Sequence, residues 1–111
     1  MTFHHYHELL FFLMFWHALA DVPLQGLYLS QAKNPVQNTE SWFSYMFCHA
    51  MIHAGGVAIV TNSIILGVCE LVAHGMIDYS KCCKKISPKT DQMLHILCKV
   101  VWAFIAWAVV N

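Results

Sequence analysis

Four long apolar runs separated by three short polar breaks set the pattern of this chain. The runs extend from about Glu8 to Tyr28, Trp42 to Val60, Ile64 to Tyr79 and Asp91 to Val110. Each comes close to the roughly 20 residues that a helix needs to cross a bilayer, and the apolar residues come in blocks rather than in an amphipathic stripe. The first break, QAKNPVQNTES at 31–41, carries an Asn34-Pro35 turn signal. The second, Thr61-Asn62-Ser63, is a tight reversal. The third, KCCKKISPKT at 81–90, contains Pro88, which ends any continuing helix. Pro23 stands two residues after Asp21, so it frees the Leu19 carbonyl and kinks the first span. Thr90 or Asp91 can cap the fourth helix, and Gly55 and Gly56 offer a thin surface for close helix contact. The expected fold is all-α: a polytopic membrane protein, one domain over 1–111, built as a four-helix transmembrane bundle with up-down topology.

Composition agrees with this pattern. The chain is 59% hydrophobic and 11% charged, and four spans use most of its 111 residues, so no soluble catalytic domain fits beside them. The six basic residues are all lysines, too few to suggest nucleic-acid binding. Membrane lipids, a lipid-like substrate, or a second copy of the chain are the expected partners. Lys33, Lys81, Lys84, Lys85 and Lys89 fall in or beside the two long polar loops, so loops 31–41 and 81–90 should be cytoplasmic and the termini on the opposite side of a bacterial inner membrane. The opening MTFHHYHE does not read as a cleavable leader. The five cysteines form an odd set without zinc-finger spacing; they are expected to be reduced, with Cys48, Cys69 and Cys98 as small core residues.

The candidate chemistry lies in a four-residue spacing. All three aspartates stand four positions from a histidine: His17 and Asp21, His74 and Asp78, Asp91 and His95. His49 and His53 form a matching imidazole pair. Residues four apart on a helix share a face, with Cβ atoms about 5–6 Å apart. In the up-down order all four pairs fall at similar depth, in the half of the bundle nearest the two long loops.

An ionised aspartate in the middle of a spanning helix costs about 2.5–3.5 kcal/mol, so three unpaired ones approach about 10 kcal/mol. Arginine is absent, and Lys99, one turn after His95, can pair with only one carboxylate. Five neutral imidazoles and three carboxylates leave a charge of −3, which one or two divalent ions would offset; imidazole with carboxylate suits zinc first, with manganese or iron as alternatives. Eight candidate ligands exceed the four to six that one ion takes, so the site is dinuclear or some members are outer-shell groups. Glu70, one turn before His74, is the candidate catalytic residue, as general base, although a further ligand or a buried protonated acid fits the same spacing. Gln25, Gln92, Tyr79 and Lys81 flank the pairs as candidate supporting groups. His4, His5 and His7 read as interface residues, and Trp16, Trp42, Trp102 and Trp107 as packing and interfacial anchors. The plainer alternative is that the polar pairs are interhelical glue.

The segments HALADVPLQ at 17–25, HAMIH at 49–53, ELVAHGMIDYSK at 70–81 and DQMLH at 91–95 resemble, in order and spacing, the bacterial and phage membrane-protein family called domain of unknown function 3307. The resemblance implies a multi-span inner-membrane protein, and its histidine and aspartate spacing is similar to that of membrane-bound metal-dependent hydrolases. The expected function is a metal-dependent hydrolase acting on a lipid-like phosphoester or other ester near the cytoplasmic leaflet. The alternative is a non-catalytic metal-binding membrane protein: an ion carrier, a sensor, or a phage-encoded modifier of the host envelope.

Overall fold

The computed structural model describes residues 3–110, and among them there are helices and loops but no strand. Five helices follow in order: α1 (Tyr6–Asp21), α2 (Gly26–Ala32), α3 (Trp42–Thr61), α4 (Ile64–Cys82) and α5 (Pro88–Val110). The four long ones pack into a body of 45 × 23 × 22 Å. Its long axis matches a bilayer with its headgroup layers, about 40–45 Å.

The expected first span is two helices. Pro23 cannot donate to Leu19, and the Leu19 carbonyl is instead taken by the Leu24 N–H at 3.1 Å. The chain then passes through Gly26 at φ +67°, a left-handed conformation that glycine adopts freely, and α2 leaves at 82° to α1. By length and composition α3 and α5 can each cross a membrane, and a third crossing exists if the bent pair α1–α2 counts as one. The chain is therefore membrane-associated. α4 falls short in apolarity because Glu70, His74 and Asp78 lie on it; all three are buried, while Ile64, Ile65, Val68, Val72 and Met76 face outward. The bundle is thus inverted relative to a soluble protein, with polar groups inside and a greasy exterior that also displays Phe11, Phe15, Phe47 and Phe104.

Its two halves differ in lining. Away from the long loops, Leu9, Leu13, Val57, Val60, Leu66, Ala103 and Ala106 form a dry core. Nearer the loops, the inward positions are histidines, acids and lysines.

The reversal at 61–63 forms as expected. Asn62 takes the left-handed region at φ 55°, and the Ser63 hydroxyl accepts the Leu66 N–H at 3.2 Å to cap α4. The start of the last helix differs from expectation. Pro88 begins it rather than ending one, since a proline at the first helical position lacks only an N–H that would go unused. Ser87, whose hydroxyl accepts the Thr90 N–H at 3.1 Å, takes the capping role, so Asp91 is released to face inward.

Cysteine placement also departs from the sequence reading. All five are free thiols, but Cys48 and Cys69 are exposed and Cys98 only half-buried, while Cys82 is buried. A thiol is apolar enough to tolerate an outward face, so apolar flanking residues did not mark it as core.

Gly55 and Gly56 have different roles. A Cβ on Gly56 would run into the indole of Trp16, whose Nε1 donates to the Ile52 carbonyl at 2.8 Å; a Cβ on Gly55 would meet nothing. Gly56→Ala should therefore cost about 1–3 kcal/mol by overpacking the α1–α3 seam, and Gly55→Ala should be neutral. Thermal unfolding of the two variants in detergent checks this, and equal melting points would refute it.

Candidate metal centre

The spacing of each pair is realised on its helix. α1 turns His17 and Asp21 inward beside Leu13 and Ala20, α3 presents His49 and His53, α4 presents Glu70, His74 and Asp78, and α5 presents Asp91, His95 and Lys99. The five imidazoles form one continuous cluster. The rings of His53 and His74 stack with centroids 3.8 Å apart, those of His74 and His95 at 4.2 Å, and His17 lies 5.3 Å from His53 and 5.7 Å from His95. All eight expected residues converge.

They divide into two donor groups. Asp21, His49, His53 and His74 each offer an atom, all within 4.8 Å of one another; Asp78, Asp91 and His95 form a second set by the same measure. His49 links them, its Nε2 lying 3.4 Å from Asp21 Oδ1 and 3.7 Å from Asp78 Oδ2. His17 belongs to neither group. Its Nε2 donates to Gln92 Oε1 at 3.1 Å and lies 3.5 Å from Asp21 Oδ2. Gln92 in turn donates to Asp21 Oδ2 and to Asp91 Oδ2, both at 3.2 Å.

The charge balance differs from the sequence expectation, because lysines enter the cluster from three directions. Lys33, assigned from sequence to a loop, is buried and pairs with Asp78. Lys81 lies 3.3 Å from Asp78 and 3.9 Å from Asp91, and Lys99 lies 2.7 Å from Glu70. Four carboxylates therefore face three ammonium groups. With neutral imidazoles the cluster carries −1 rather than −3. Asp21 is the one of the four with no lysine partner among the described residues; its neighbours are His53 at 2.9 Å, His49, His17 and Gln92.

Glu70 is wholly buried and fully engaged. It accepts from Lys99 Nζ at 2.7 Å, Trp102 Nε1 at 2.9 Å and His74 Nδ1 at 3.1 Å. That last contact turns the opposite nitrogen of His74, Nε2, into the centre, where no side chain bonds to it. The same holds for His17 Nδ1, both nitrogens of His49, and Nδ1 of His53 and of His95. Buried nitrogens without partners are costly, and a cation taking the one lone pair that each neutral imidazole of the first group offers would offset part of that cost. Four donors around a tetrahedral zinc at about 2.0–2.2 Å lie about 3.4 Å apart, so no pair in the first group, all within 4.8 Å, has to close by more than about 1.4 Å.

A cavity of about 480 Å³ reaches this group from between α1 and α5, with His17, Asp21, Gln25 and Gln92 on its polar wall and Met14, Val22 and Ile96 at its apolar edge. His4, His5 and His7 are exposed, well before the motif histidine of α1 in the chain.

A family model described as a protein of unknown function (DUF3307) matches residues 9–111. The chain belongs to this family. Among curated proteins and among solved structures, none matches it. The DUF3307 match includes both donor groups, Glu70 and the three lysines that pair with the acids, so the whole polar cluster lies within the family's own domain.

Sequence reasoning missed Lys33 and gave Trp102 a packing role only. Trp102 could have been found: Asp91, His95, Lys99 and Trp102 continue one face of α5 at helical spacing. Lys33 sits in a polar segment with no periodic signal.

Proposed function

We propose that this chain is a membrane-embedded, metal-dependent hydrolase acting on a lipid-like phosphoester near the cytoplasmic leaflet. The carrying observation is Asp21, a carboxylate without a lysine, set among imidazoles whose buried nitrogens lack partners. One divalent ion is held by Asp21, His49, His53 and His74, a three-nitrogen, one-oxygen set that suits zinc best among zinc, manganese and iron. In the second group Lys33 and Lys81 already supply the positive charge that another ion would bring, so Asp78, Asp91 and His95 act as its charge-compensated support.

Bound there, a divalent ion supplies Lewis acidity and a water acidified towards neutrality. Glu70 holds His74 in one orientation, as outer carboxylates do for metal-ligating histidines, and its three donors leave it poorly placed to move a proton. His17 lines the cavity beside Asp21, with Nδ1 unpartnered, and is the residue we assign to accept the proton from water and return it to the leaving oxygen.

Four crossings complete the reading. α1 and α4, about 24 and 28 Å long, are short but usable spans because their outward faces are apolar. Loops 31–41 and 81–90 lie on the cytoplasmic side with the lysines. The test is release of phosphate from labelled short-chain lipid phosphate esters by metal-loaded protein in detergent. Turnover lost in His17→Gln, with the ion retained, is expected; tight ion binding with no turnover of any ester refutes the hydrolase.

One observation favours the non-catalytic alternative of a metal-binding sensor or envelope modifier. Three of the four carboxylates are already paired with lysines, so much of the cluster is stable in itself.

A further inference from the structure

Beside the donor groups, on the loop side, lies a second and larger cavity of about 710 Å³. Its wall carries four of the six lysines, Lys33, Lys81, Lys84 and Lys85, and no acidic residue. Lys33 and Lys81 also line the cavity that reaches Asp21, so the two spaces adjoin at these two side chains. Their charge is spent on Asp78 and Asp91. Lys84 and Lys85 make no ion pair among the described residues, which leaves the loop-side cavity with two uncompensated positive charges.

The backbone there is built for this. α4 ends with Lys84 in the left-handed region at φ 60°, while the Lys85 N–H reaches back to the Ser80 carbonyl at 2.8 Å. Helix ends of this form favour glycine at the left-handed position, and here it is a lysine that lines the cavity. Ser87, which caps α5, and Pro88, its first residue, close the same wall and bring the positive end of a 23-residue helix to it. Positive inside-facing loops arise from topology alone, but topology places neither a strained lysine nor a concave, acid-free wall against a metal centre.

The geometry points to this cavity as an anion subsite that holds a phosphate group, with Lys84 and Lys85 as its charge-bearing residues and Lys81 between it and the metal centre. The inference rests on the hydrolase reading and names its substrate class: an amphiphile with a phosphate head towards the lysines and an apolar tail leaving past Met14, Val22 and Ile96. Phosphate left after cleavage has the same chemistry and would occupy the same place.

The test titrates the full-length chain in detergent with inorganic phosphate, dihexanoyl phosphatidic acid and dihexanoyl phosphatidylcholine, with and without a chelator, following binding by calorimetry. Saturable binding of the first two is expected, weaker by about tenfold or more in K84Q/K85Q. Lys84→Gly should lose affinity while its melting temperature holds or rises, since glycine relieves the left-handed residue. Tighter binding of phosphatidic acid than of phosphate assigns the site to a lipid head; equal affinity assigns it to free phosphate. Lysine-dependent binding that survives the chelator supports the subsite even if the metal reading fails. Absence of saturable binding, or equal affinity in wild type and K84Q/K85Q, overturns the proposal while leaving metal content to be judged separately.

Discussion

Replacing Lys99 by methionine is expected to destabilise the bundle by about 3–5 kcal/mol, the cost of leaving a buried charge without its partner. Lys99 and Glu70 are both almost completely buried, with Nζ and Oε2 2.7 Å apart. The methionine fills similar space, so the loss reports charge rather than volume. In the double variant E70L/K99M both charges are gone, and most of the stability should return, short of about 1–3 kcal/mol for the acceptor lost by His74 and Trp102. Equilibrium unfolding of the three variants in mixed micelles measures this. A Lys99→Met protein as stable as wild type would mean that Glu70 is a neutral acid, one of the readings open from sequence.

Asp21→Asn should leave the fold nearly unchanged and reduce zinc affinity by more than about a hundredfold, a larger effect than loss of an outer-shell partner. The amide keeps the shape of the carboxylate and an oxygen for His53, and Asp21 is the least buried of the four acids, with 18% of its side chain accessible. What disappears is the one negative charge that no lysine balances. Asp78→Asn is the contrasting variant. It strips Lys33 and Lys81 of their shared partner, so stability should fall while the first donor group stays complete. Competition with a chromophoric chelator gives the affinities. Equal loss of zinc in both variants would show that the ion sits between the groups rather than in the first.

The convergence of these eight side chains was legible because spacing along a helix is written directly into sequence. Four residues fix a shared face, and position within a span fixes depth, so His17, His49, His53, His74 and His95 had to meet once four helices packed. What was not legible depends on contacts between segments. Nothing in QAKNPVQ indicates that the chain after α2 folds back and buries Lys33 against Asp78, and that one contact changes the charge of the cluster. Pro23 foretold a kink, but the 82° departure of α2 also needs the left-handed Gly26. Pro88 reads as a stop because proline both ends and begins helices, and only Ser87 capping the next turn distinguishes the two.

The pairing of Asp78, Asp91 and Glu70 with lysines leads to a numerical expectation. One divalent ion carrying a hydroxide would bring the cluster from −1 to zero, and a second ion would have to sit among Lys33 and Lys81. Elemental analysis of protein purified in detergent without added chelator measures the stoichiometry directly. One transition-metal ion per chain, absent from the Asp21→Asn variant, is the predicted result; two ions per chain, or none in wild type after zinc has been supplied, would contradict the account.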